Sequence, residues 1–332
     1  MNSRRKLDRS TSGYDKSFQS PQYERFDNLD YDIYFQPLNI KKYLSKVIKI
    51  QNLEGEIFFP NELSYIQNYF NEISENFNYN LIKYTNESKL DIVSRILANI
   101  GRSGSVFIKS SENLDYINKP VVIFYGIEHL SAFFLNMHYN FTQENSSLSP
   151  IMTNQYYTHG IDSNQFNRIN INEDMINLLN YKIRLNKQGF ASRFFLSLGF
   201  PVNNFFILQK DVTLIELIQT FFLTTRIGIS PKMKSLMMED LSPFLKKDNE
   251  LDYDEDIDLF VFYMLSFIFS HLSRYKMYTW QILITTEEYN IGFYLKFIID
   301  TINELYIRKI FSIIDYYNDR MTSHLRKLDK NL

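Results

Sequence analysis

The sequence predicts a mainly α-helical protein, a multi-helix bundle carrying a small β insertion at about 165–190. Three observations support this fold class. Long apolar segments recur at helical spacing and open on capping residues. Residues that break helices are scarce, with 10 Gly and 8 Pro in 332 residues. Period-two alternation is confined to one stretch, where Ile169 and Ile171 alternate with Asn170 and Asn172, and Tyr181, Ile183 and Leu185 with Lys182, Arg184 and Asn186. With 45% apolar residues, including 29 Phe and 24 Tyr, the chain can build a large core.

Residues 1–30 lack periodic apolar positions and are expected to form a disordered or loosely docked tail. Helical signals begin near Ile40. Pro60 and Asn61 form a cap-like pair before an apolar stripe of Leu63, Ile66, Phe70, Ile73 and Phe77. Ser88 and Asp91 make a capping-box variant, and Gly101 is expected to end that helix, with a loop from Gly101 to Ser105. Pro120 opens the most apolar helix, which runs to about Tyr139. A polar loop from Thr142 to Tyr157 leads into His159-Gly160. Lys187-Gln188-Gly189 is the turn after the second predicted strand, helices resume at Phe190, and Thr213 with Glu216 caps a helix through about Leu223.

The acidic run at 248–258 lacks the central Gly of a calcium loop and reads as a solvated linker. Two long helices follow, near Asp258–Ile282 and Ile291–Leu328. The domain organisation expected is a tail (1–30), a helical region with the β insertion (31–247), the acidic linker (248–258) and a C-terminal long-helix region (259–332) packed on the same core.

Composition excludes several classes. A net charge of −2 rules out a globally basic nucleic-acid binder, while a local patch stays open. The absence of cysteine excludes disulfides, thiolate nucleophiles and Cys-zinc sites, and fits a reducing cytosol. Met1–Ser20 carries Arg4, Arg5, Lys6 and Arg9 without an apolar stretch behind them, so no secretory signal is expected. No membrane span is expected: Leu259–Leu272 is too short, and Val121–Met137 contains Glu128 and His129. No His-x-x-x-His pair, phosphate-cradling glycine loop or Gly-x-Ser-x-Gly elbow occurs, so neither a metal nor a cofactor is expected. The expected location is cytoplasmic.

Four constellations place chemistry beside apolar surface. Tyr125, His129 and Asn136 stand at i, i+4 and i+11 on one helical face, with Glu128 and Ser131 on a neighbouring face. They form either a pocket wall in which His129 transfers a proton at neutral pH, or core polar groups bonded to adjacent helices. His159 precedes Gly160, whose backbone freedom would aim the imidazole. Arg274 ends a stripe of Ser266, Ser270 and Ser273, with Tyr275, Lys276 and Trp280 close by. Its guanidinium needs a carboxylate, a phosphate or helix carbonyls; either a structural partner such as Glu128 or an anionic ligand would serve. Arg320 and His324 share a face of the last helix. Metal-independent HEPN ribonucleases use an Arg and a His on one helix with four to six residues between them; here only Met321, Thr322 and Ser323 intervene.

Pro120-Val121-Val122-Ile123-Phe124-Tyr125-Gly126, then Leu130-Ser131 and His159-Gly160, resembles the YaaC-like family of bacterial proteins. Tyr181-Lys182-Ile183-Arg184 through Gly189-Phe190 is similar to that family's strand-like segment. Met264-Leu265-Ser266, Ser273-Arg274-Tyr275-Lys276 and Trp280 are similar to its C-terminal signature. The ordered set spans about 34–314. Where a Lys often follows the Leu-Ser step, this chain has Ala132, so any role of that Lys is absent. The resemblance implies a cytosolic, mostly helical protein and no particular reaction. The Phe-Tyr-Gly helix is also similar to the apolar, Tyr-rich helix of HEPN domains, a fold-level analogy that cannot carry function.

The leading expectation is a regulatory or binding protein, as a component of a stress or phage-defence system. Its pocket would be formed by Tyr125, His159, Arg274 and Trp280, with His129 and Tyr275 as further ligand contacts, and its partner would be a protein or a small anionic ligand. The alternatives are a HEPN-like ribonuclease acting on RNA through Arg320 and His324, and an enzyme using His159 as acid-base and Arg274 as anion clamp.

Overall fold

Helices dominate because the apolar periodicity does. The computed structural model describes residues 31–54, 79–81, 90–138, 141–143, 161–162, 175–185, 190–197, 212–225, 229–242 and 258–331. A short 3₁₀ turn, Tyr31–Phe35, precedes α1 (Pro37–Glu54), α2 (Leu90–Ser111) and α3 (Lys119–His138). The short helices α4 (Met175–Leu179) and α5 (Phe190–Ser197) are followed by α6 (Leu214–Thr224) and α7 (Pro231–Asp240). The last three are α8 (Asp258–Tyr275), α9 (Met277–Thr285) and α10 (Ile291–Asn331). The described residues belong to one packed unit, Tyr31–Leu332.

The central helix is α3, which packs against α1, α2, α5, α8 and α10. Phe124, Ile127, Leu130, Phe133 and Phe134 are all fully buried and form its apolar face, while Tyr125, Glu128, His129 and Asn136 stand on the opposite side. The segment Lys119–Met137 is also long and apolar enough to cross a membrane, and 78% of its apolar window is buried inside the protein. On α8, every residue from Asp258 to Ser273 is buried.

Two small antiparallel sheets accompany the helices. β1 (Tyr79–Leu81) pairs with β2 (Phe141–Gln143), Asn80 opposite Thr142. β4 (Lys182–Leu185) lies between β3 (Ile161–Asp162) and β5 (Val212–Thr213), with Ile161 opposite Leu185 and Ile183 opposite Val212. The alternation at 181–185 therefore marks a strand, but its partners come from outside the predicted insertion. The capping box at Thr213 and Glu216 is formed as predicted: each side chain bonds the other's backbone N–H, at 3.3 and 2.7 Å.

Several expectations need correction. Gly101 does not end a helix, and Gly101–Ser105 is not a loop, because α2 continues to Ser111. A Cβ on Gly101 would come within 2.4 Å of the Phe35 ring. The glycine is there for close packing, which offsets its weaker helix propensity of about 1 kcal/mol relative to Ala. Thr142 and Gln143 are strand rather than loop. Asp258 is not solvated linker: it is buried in the first turn of α8 and ion-pairs with Lys309 of α10. The helix expected over Asp258–Ile282 breaks at Lys276, whose φ of −133° and ψ of 45° are non-helical. The break turns Trp280 inward while Met277 and Tyr278 stay exposed. The 1–30 tail, the helix after Pro60, the Ile169–Asn172 alternation, the turn at 187–189, the acidic residues 248–257 and His159-Gly160 lie outside the described residues.

Candidate functional site

The turn joining α2 to α3 is where the site is anchored. Asp115 Oδ1 accepts from the backbone N–H groups of Ile117 and Asn118, both at 3.0 Å, and so shapes the entry to α3. Two side chains of the C-terminal half clasp this turn. Ser273 donates its hydroxyl to the Ile117 carbonyl, and Trp280 Nε1 donates to the Tyr116 carbonyl at 2.9 Å. A third tie comes from α10, where Asp300 accepts from Lys119 at 2.6 Å and from the Tyr116 hydroxyl at 2.5 Å. Trp280 is fully buried with its ring 5.4 Å from that of Phe269, so in this conformation it cannot meet a ligand from solvent.

This clasp brings Arg274, the residue after Ser273, against Tyr125 on α3. Arg274 Nη1 donates to the Tyr125 hydroxyl at 2.9 Å. The guanidinium carbon lies 5.5 Å from the Tyr125 ring centroid and 5.1 Å from that of Tyr275, within cation–π range of both. No ion pair joins Arg274 to Glu128. Arg274 Nε is buried and has no hydrogen-bond partner among the described residues. A guanidinium partly removed from water, facing neutral aromatic partners, retains capacity for an anion.

Around this pair lie two imidazoles. His129 Nδ1 is 2.8 Å from the Tyr125 carbonyl one turn back, and its ring is 5.3 Å from that of Phe107 on α2. His271, one turn before Arg274, lies 5.0 Å from the Tyr275 ring. Burial, with the nearby charges of Arg274 and Lys276, holds the His271 pKa below its ordinary value of 6.5. Sequence reasoning missed His271, although its spacing of three from Arg274 and four from Tyr275 on one helix was a usable signal. It also missed Phe107, for which no local signal exists.

Other candidates are placed elsewhere. Asn136 is buried and its Nδ2 donates to its own helix at Ala132 O, 2.7 Å away. Ser131 meets the Tyr306 hydroxyl at 2.5 Å within the core. Ser266 and Ser270 are buried, and their hydroxyls make no hydrogen bond among the described residues. Arg320 Nη1 donates to the Tyr316 hydroxyl at 2.7 Å with its guanidinium over that ring, and His324 is half-buried one turn on. Among the described residues, no group of three His, Asp or Glu side chains is placed to hold a metal ion.

No family model, curated protein or solved structure matches the chain.

Proposed function

We propose that this chain is a regulatory, ligand-binding protein of the YaaC-like kind, and that it reads an anionic group on a small ligand through Arg274. One observation carries the reading: the half-buried Arg274 guanidinium is held by a phenol hydroxyl and two aromatic rings and by no carboxylate among the described residues. A structural arginine at such a place would be matched by a carboxylate. The exposed Tyr275 ring supplies a face for the body of the ligand.

The test is a titration of the full chain with inorganic phosphate and acetate, following the Nε–Hε signal of Arg274 by NMR. The expected result is a saturable shift in the wild type and none in a folded Arg274→Met variant. If the signal stays fixed with both anions, the reading fails. RNA degradation in EDTA that is lost in Arg320→Ala or His324→Ala would replace it with the nuclease. Anion-independent capture of a protein on this face would make the partner a protein.

A further inference from the structure

A second recessed site, made of different residues, lies where the 3₁₀ turn and α1 meet α3 and α10. The cleft there has a volume of about 340 Å³, within the size of small-molecule sites. Its apolar lining comes from three helices: Ile40 of α1, Phe133 and Met137 of α3, and Ile314 of α10. Two polar clasps tie the 3₁₀ turn and α1 to α10. On one side the Tyr34 hydroxyl donates to Asp315 Oδ2 at 2.5 Å, and the Tyr34 ring stacks on Phe311 at 4.1 Å. On the other side Lys46 Nζ donates to Asn318 Oδ1 and Thr322 Oγ1, both at 2.8 Å.

Charge at the cleft is unequal. The Asp315 carboxylate is engaged by Tyr34, whereas Lys46 is held by two neutral oxygens and keeps a third N–H donor. Asp319 and Arg326 act on Lys46 with opposite signs, and desolvation is the leading influence, holding its pKa below the usual lysine value. Lys42 also lines the cleft, is exposed, and forms no ion pair among the described residues. The lining therefore offers an apolar base and two cations against one carboxylate, Asp315, with Asp319 acting on Lys46 from outside the lining.

We propose that this cleft binds a small amphipathic carboxylate, its charged end on Lys46 and Lys42 and its apolar body against Phe133 and Met137. The geometry excludes a bulky polyanion, because Asp315 borders the same space. A single negative charge can take the remaining donor of Lys46 at less repulsion from that carboxylate than a polyanion would meet. The apolar body gains by leaving water.

The experiment uses the full chain with three probes of similar length, 4-phenylbutyrate, its isosteric neutral amide and 4-phenylbutylamine, read by calorimetry and by the methyl signal of Met137 in ¹³C-methionine-labelled protein. The carboxylate is expected to bind at least about tenfold more tightly than the amide, with the amine weakest, and to move the Met137 signal. Lys46→Met should remove most of that preference. Because Lys46 also clasps α10, Lys42→Met serves as the second variant, with an expected loss of several-fold. Equal binding of carboxylate and amide, tightest binding of the amine, or no binding of any probe at millimolar concentration overturns the proposal. So does carboxylate binding that leaves Met137 unmoved while shifting the Arg274 Nε–Hε signal, an outcome that leaves the Arg274 reading standing.

Discussion

Gly104 of α2 and Gly126 of α3 meet back to back. A Cβ on Gly104 would lie 3.0 Å from the Gly126 carbonyl oxygen, and a Cβ on Gly126 would lie 3.1 Å from that of Gly104. The two backbones approach so closely that neither position admits even a methyl group without movement. This contact sets the depth at which α3 sits, and with it the position of Tyr125, the residue before Gly126.

Gly104→Ala should therefore destabilise the protein despite its gain in helix propensity. Overpacking against backbone costs about 1–3 kcal/mol, against about 1 kcal/mol returned by Ala in a helix. Gly126→Ala should cost less, because its added methyl meets chiefly the Ile108 side chain, with one main-chain atom at 3.1 Å, whereas that of Gly104 meets the branch point of Leu130 at 2.8 Å and two main-chain atoms at 3.0 Å. Urea midpoints of the two variants check the order. A Gly104→Ala protein as stable as wild type would show that the helices can slide apart freely.

These glycines also show where the sequence was legible and where it was not. The apolar runs behind α3 and α8 are long, α10 repeats its apolar residues at helical spacing, and the capping box at Thr213 is a local motif that folds locally. Gly101 sits in an equally local context and reads as a helix end, yet a ring 66 positions earlier, Phe35, decides its role. The break at Lys276 is similar, since the indole of Trp280 reaching back to Tyr116 rewards a turn that local propensity does not signal. At the site, Arg274 and Tyr125 were each recognisable, but their contact spans 149 residues. The Lys46 cleft had no signal at all, because Tyr34, Lys46, Phe133 and Asp315 come together only in three dimensions.

His271 makes stability depend on pH in a definite direction. Its folded pKa lies below 6.5 because burial, then Arg274 and Lys276, disfavour the imidazolium. In the window between the folded and unfolded values the unfolded chain binds more protons, so stability rises with pH. The contribution is present above about 6.5 and is lost as pH falls through that window. Thermal melts between pH 7 and 5 should show a decline that is reduced in His271→Phe. Arg274→Met should raise the His271 pKa measured by NMR without restoring 6.5, since desolvation is the larger cause. A His271 pKa that is unmoved in Arg274→Met would mean that the guanidinium does not act on it.

The ion pair between Lys309 and Asp258 should respond asymmetrically to mutation. The Asp258 side chain is 5% exposed, while that of Lys309 is 26% exposed. Lys309→Met strands a carboxylate that cannot reach water, and Asp258 Oδ1 makes no hydrogen bond among the described residues. Removing the partner of a buried charge typically costs ~3–5 kcal/mol. Asp258→Asn leaves an ammonium with two recourses: it can extend toward solvent, and it already lies 5.9 Å from the Phe262 ring centroid. The expected cost is then nearer that of one charge-assisted hydrogen bond, roughly 1.5–3 kcal/mol. The α8 N-terminus favours the carboxylate where it stands, which adds a few tenths of a kcal/mol to the Asn variant, too little to reverse the order. Replacing both residues by apolar ones, Asp258→Leu with Lys309→Met, should recover most of the loss of Lys309→Met alone, because no uncompensated charge remains. Denaturant titration of the three variants gives the ranking directly. If Asp258→Asn proves the most damaging, the carboxylate must be held by something other than Lys309.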